Sequence, residues 1–140
     1  MIEMLRLCPG DNMGQRDWLG SVLLQAGRVS DALSFAQAWL DPQYDSRWPP
    51  RGGCVFDPPS KTPLLDSAVE KAKRWGPGAI YYTAVLASFR LWGDCKLARQ
   101  YLHISTSVFP QVLMRILAKV DRPSMSFARI YRLIKRKHIS

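Results

Sequence analysis

The stretch Asp11–Leu40, DNMGQRDWLGSVLLQAGRVSDALSFAQAWL, decides the fold. Apolar residues recur at helical spacing on both sides of Gly27: Leu19, Leu23 and Ala26 before it, then Val29, Ala32, Leu33, Ala36 and Leu40 after it. Asp11 is placed to cap the first helix by accepting from its unpaired backbone N–H groups, and Ser30 or Asp31 can start the second. Gly27 suits the left-handed position just past a helix C-terminus, where the chain turns back. Small residues at Gly20, Ala32 and Ala36 let the two helices approach closely. The stretch predicts an antiparallel helical hairpin, and none of its residues points to catalysis.

One hairpin cannot bury both of its apolar faces, so it needs stacked neighbours. Gly93 is followed five residues later by Ala98, as Gly27 is by Ala32, and Pro110 closes the segment after it. Leu19–Gly20 and the glycine-then-alanine spacing at both sites resemble the tetratricopeptide-repeat pattern. Val85–Leu86 stands where the second copy would read Leu–Gly. Leu5–Arg28, with Asp11, Asn12, Gly14 and Arg16, resembles the opening helical segment of fungal proteins that carry a C-terminal MYND-type zinc finger. Phe109-Pro110-Gln111-Val112-Leu113 is similar to the helix start that follows in those families. The resemblance spans residues 3–122 and implies an all-helical interaction module without catalytic residues. The zinc finger itself is missing from this sequence.

Composition agrees with one globular domain. Of 140 residues, 47% are hydrophobic and 22% charged, enough to bury a core and too apolar for a wholly disordered chain. The net charge of +9 is unevenly spread. Residues 1–66 hold six Lys/Arg against eight Asp/Glu, a balance of −2, whereas residues 67–140 hold fourteen against three, a balance of +11. Cys8, Cys54 and Cys95 are odd in number and far apart, which fits reduced thiols in a cytoplasmic or nuclear protein. The opening MIEMLRLCPG lacks an apolar core of signal-peptide length. The longest apolar run, Ala79–Phe89, falls well short of the roughly 20 residues a membrane span needs.

Further along, residues 41–63 contain six prolines and two glycines, so no helix or central strand runs through them. This Pro-rich insert carries Tyr44, Trp48 and Phe56, which either lie down on the helices or form a docking segment for a partner; disorder is the third reading. Thr62–Pro63 predicts the start of a third helix, Leu64–Trp75. The fourth, Ala79–Trp92, is apolar nearly all round and belongs at the centre of a bundle. Asp94 is expected to cap a fifth, with Leu97, Tyr101, Ile104 and Val108 on its buried face, and Pro110 to start a sixth over Gln111–Lys119. Residues 123–140 predict a basic amphipathic C-terminal helix, with Phe127, Ile130, Tyr131 and Ile134 on one face and Arg129, Arg132 and Arg136 on the other, flanked by Lys135 and Lys137.

The inventory of reactive groups is thin. His103 and His138 lack a carboxylate or cysteine at a diagnostic spacing, and His103 reads as a core-edge residue. No Cys-x-x-Cys, His-Glu-x-x-His or glycine-rich phosphate loop occurs, so no metal or cofactor is expected. Asp11, Asn12 and Arg16 read as a cap with an internal hydrogen-bond network in which Arg16 reaches a carboxylate such as Asp31. Trp18, Trp39, Trp75 and Trp92 read as core or seam residues, one of them a possible groove liner. The expectation is therefore an all-α protein of six to seven helices: a tetratricopeptide-like domain over 1–122 and the basic helix over 123–140. Its expected function is non-catalytic protein–protein interaction, with Arg16, Trp18, Tyr82 and Phe89 as candidate partner-binding residues. The alternative is binding to nucleic acid or another acidic surface through Arg129, Arg132, Lys135, Arg136 and Lys137.

Overall fold

Helices form where apolar residues recur at intervals of three and four. A computed structural model describes residues 1–11, 13–40, 48–74 and 78–121. These comprise α1 (Ile2–Leu7), α2 (Arg16–Gln25), α3 (Val29–Leu40), a 3-10 turn (Pro50–Gly53), α4 (Asp66–Ala72), α5 (Gly78–Trp92), α6 (Lys96–Val108) and α7 (Pro110–Asp121). The fold is all-α, with seven α-helices and no strand among the described residues. Asn12, Tyr44, Trp75 and the whole predicted helix over 123–140, including Arg129, Arg132, Lys135, Arg136 and Lys137, lie outside the described residues.

The reversal between α2 and α3 is closed by backbone bonds. Gly27 takes φ 75°, its N–H donates to the Leu24 carbonyl (3.2 Å), and the Arg28 N–H donates to the Leu23 carbonyl (2.9 Å). This nested pair satisfies carbonyls that the helix end leaves open, in a conformation that glycine adopts without strain. Gly93, at φ 67°, turns the chain between α5 and α6.

α5 is the hub, packed against α2, α3 and α6. It can take three neighbours because its buried positions mix large and small residues: Ile80 and Tyr81 with Ala84, Ala87 and Ser88. The Ser88 hydroxyl donates to the Ala84 carbonyl (2.7 Å), so its polar atom is paired inside the core. Gly20 of α2 lies so near Thr83 that a Cβ there would overlap the threonine hydroxyl. Arg90 Nη1 reaches the Leu24 carbonyl (3.3 Å) at the end of α2. One apolar core results, built from Leu19, Leu23, Leu33, Phe35, Ile80, Leu97 and Ile104 among others. Each such large side chain contributes about 1.5–3 kcal/mol through burial.

The Pro-rich segment, over residues 48–63, lies on the helices. Trp48 packs edge-on against Trp39 (centroids 6.3 Å apart, planes at 64°), and Phe56 lies beneath the guanidinium groups of Arg28 (5.2 Å) and Arg6 (6.0 Å). Between them the turn at Gly52 is wedged between α1 and α3. Its carbonyl accepts from Trp39 Nε1 (3.0 Å), while Arg6 donates twice to the Cys54 carbonyl (3.1 and 3.0 Å).

Three local expectations are corrected. α4 begins at Asp66, not after Thr62–Pro63, and has no side-chain cap. The cause is distant in sequence: Gln100 of α6 accepts from the Leu64 N–H (2.8 Å) and donates to the Leu64 carbonyl (2.9 Å), which takes the carbonyl that a helix would give to the Ala68 N–H. Asp94 does not cap α6. Its carboxylate is taken by Arg99 (2.6 Å at both oxygens), and Cys95 Sγ accepts the Ala98 N–H instead (3.5 Å). His103 is exposed on α6 and not at the core edge.

Candidate functional site

Arg16 opens α2 and is fixed from three sides. Asp11, buried and at φ 53°, accepts the Gln15 N–H with Oδ1 (2.6 Å) and the Arg16 N–H with Oδ2 (2.8 Å). The same Oδ2 lies 3.8 Å from Arg16 Nε. The guanidinium sits over the rings of Trp39 (5.1 Å) and Trp48 (5.9 Å). An indole face attracts a cation, so the two rings and the carboxylate together hold the charge in place. Asp31, the partner expected for Arg16, pairs with Arg28 (2.7 Å).

Trp18 departs from the core role expected of it: it is 67% exposed. The helical phase explains this, because α2 buries Leu19, Gly20, Leu23 and Leu24 and so turns Trp18 and Val22, one turn apart, outward together. On α5 the outward pair is Leu86 and Phe89, the latter 56% exposed. Val22 and Leu86 were not singled out from sequence, although the phase of Leu19 and Leu23 carries the signal for Val22. Tyr82 faces inward, only 7% exposed, with its hydroxyl donating to the Phe109 carbonyl (2.9 Å). It locks α5 to the start of α7, and burial raises its phenol above the ordinary range. Arg16, Trp18 and Phe89 are therefore at or near the surface of the α2–α5 layer, and Tyr82 is part of its packing.

A groove of about 410 Å³ lies between α4 and α6, with Glu70, Lys73, Lys96, Arg99 and His103 on its walls. Its charges are largely paired. A hydrogen bond from Lys73 (2.8 Å) holds the Glu70 carboxyl below its usual range, and the Arg99 guanidinium does the same for Asp94. No group of three His, Cys, Asp or Glu side chains that could hold a metal occurs among the described residues. No described helix is long and apolar enough to cross a membrane.

Of the thiols, Cys8 is exposed and Cys54 buried. Burial pushes the Cys54 thiol up from 9.0 to about 11, against the opposing pull of Arg6. A raised folded-state value means that the stability this group contributes is complete below pH 9 and is lost as pH rises through about 11. Two results are expected. At about pH 8 an alkylating reagent modifies Cys8 and spares Cys54 until the chain unfolds. Denaturant midpoints fall between pH 9 and 11 by less in Cys54→Ala than in wild type; an equal fall in both excludes this thiol as a cause.

Comparison of the chain with protein-family models, with curated proteins and with solved structures gives no match. The site rests on its own geometry: exposed apolar side chains, Trp18 and Val22 on α2 and Leu86 and Phe89 on α5, and a cation clamped at the start of α2. Such a surface can bury apolar groups of another molecule and fix their register with polar ones.

Proposed function

We propose that this protein is a non-catalytic protein–protein interaction module, and that its partner seats on the outer faces of α2 and α5. The observation that carries the reading is the exposure of Trp18 on α2 and Phe89 on α5. Large aromatics cost apolar hydration when left in water, and they supply the anchors of most interfaces. Val22, one turn from Trp18, and Leu86, one turn from Phe89, are exposed as well. The helix order supports a tetratricopeptide-like arrangement: α2–α3 and α5–α6 are consecutive pairs, and α5 contacts both members of the first pair. That is the neighbour relation of stacked hairpins, which present a continuous face to a ligand.

The test is affinity capture with the wild-type chain, followed by titration of the captured partner. Trp18→Ala and Phe89→Ala are each expected to weaken binding by about 2 kcal/mol, roughly 30-fold, with unchanged thermal melts because both side chains are exposed. Retention of the partner at wild-type affinity by both variants rejects the proposal. A partner lost instead on changing Arg129, Arg132 and Arg136 together to Gln, with steep salt dependence, assigns binding to the basic C-terminal residues.

A further inference from the structure

Two glutamines on different helices hold one non-helical stretch by its backbone. On α3, Gln37 Oε1 accepts the Ser60 N–H (2.9 Å) and Nε2 donates to the Ser60 carbonyl (2.7 Å). On α6, Gln100 treats Leu64 identically, at 2.8 and 2.9 Å. Each pairing is the one a neighbouring strand would provide, supplied here by a primary amide with one acceptor and one donor edge. The clasped residues are four apart, so in an extended chain their backbone groups point to the same side. Each directly follows a proline, Pro59 or Pro63. Proline has no N–H to donate, and its positions fall on the alternate phase, where none is needed. Between them Lys61 Nζ lies 5.9 Å from the centre of the Trp92 ring. A cavity of about 350 Å³ runs alongside, bounded by Ser34 and Gln37 of α3 and by Phe56 and Pro58.

The stretch itself stays largely in water. Pro58, Ser60, Lys61, Thr62 and Pro63 are exposed and Leu64 packs against the core, so amide bonds, one cation–aromatic contact and that single apolar side chain hold it. A segment held this way opens at low cost compared with the core. We infer that the α3–α6 face is a receptor for extended segments of the pattern Pro-X-X-X-Pro-X, read through their backbone. Residues 57–65 fill it within the chain, and a partner segment of the same pattern displaces them. Main-chain bonds supply the affinity, the proline spacing supplies the register, and the tethered segment acts as a built-in competitor. This surface is separate from the outer faces of α2 and α5 and does not depend on them.

The test uses the full chain and a fluorescein-labelled synthetic peptide matching residues 55–66. Ser60→Pro with Leu64→Pro in the chain removes both donated N–H groups and frees the seat. That variant is expected to bind the peptide about tenfold more tightly than wild type. A peptide bearing the same two substitutions is expected to bind it about tenfold less tightly than the unaltered peptide, and Gln37→Leu with Gln100→Leu to remove binding. Equal affinity of the variant and wild-type chains, or of the two peptides, overturns the inference. A second measurement needs no variant: in the ¹⁵N-labelled wild-type chain, excess unlabelled peptide accelerates amide exchange at Ser60 and Leu64 about tenfold. Exchange unchanged at both residues also overturns it.

Discussion

Asp11→Ala is expected to lower stability by about 3 kcal/mol, from three losses of roughly 1 kcal/mol each. The first is the cap: the Gln15 and Arg16 N–H groups lose the two carboxylate oxygens they now donate to. The second is conformational, because Asp11 sits at φ 53°, where aspartate is tolerated and alanine is strained. The third is electrostatic, since the partly buried Arg16 guanidinium loses its nearby carboxylate. Two companion variants separate these causes. Asp11→Gly removes cap and charge but relieves the backbone strain, and is expected to cost about 2 kcal/mol. Asp11→Asn keeps an acceptor and tolerates the left-handed backbone, and is expected to cost about 1 kcal/mol. Urea midpoints for the three variants give the order directly. If Asn and Ala cost the same, the carboxylate charge and not the cap dominates, and the assignment of Asp11 as the fixed start of α2 fails.

Features set by neighbours in sequence were legible before the structure. Gly27 lies one residue past a run of periodic apolar residues, and no distant contact is needed to make it turn. The all-round apolar character of residues 79–92 likewise implied the central place of α5, because only a helix with neighbours on several sides can bury such a surface. The same property hid the role of Tyr82. A helix without a polar face has no phase to read, so nothing local distinguished Tyr82, turned inward to the Phe109 carbonyl, from Phe89, turned out.

Misreadings arose where a distant side chain competes with a local signal. Thr62–Pro63 has the form of a helix start, yet Gln100, thirty-six residues beyond Leu64, holds that backbone outside the helix. Asp94 is a better cap by type than Cys95, but Arg99 takes its carboxylate. Helical reach points Arg16 to Asp31, whereas Asp11 and two indoles from other segments surround it. Trp18 carries two expectations, a core or seam residue and a partner-binding candidate; the phase set by Leu19 and Leu23 turns it outward, against the general tendency of tryptophan to be buried.

Gly52→Ala is also expected to cost about 3 kcal/mol, and comparison with Gly27→Ala divides that cost into its parts. Both glycines have a positive φ, 63° and 75°. Alanine at either is strained by about 1 kcal/mol. Around Gly27 a new Cβ meets nothing within 4 Å, so backbone strain is the whole effect there. At Gly52 the Cβ would lie 2.6 Å from the Leu5 carbonyl oxygen and 2.9 Å from Leu5 Cβ. The carbonyl belongs to backbone within α1, and Leu5 is fully buried, so neither can step aside cheaply. Overpacking of this kind adds about 2 kcal/mol. The shift would also displace the Gly52 carbonyl from Trp39 Nε1 and, through Trp39, loosen the indole pair over which Arg16 rests. Gly52→Ala is therefore expected to alter tryptophan fluorescence in the folded state, and Gly27→Ala to leave it unchanged. Equal stability losses in the two variants would mean that the Pro-rich segment rests on α1 and α3 without being built into them. The fold would then depend on the helical hairpins alone.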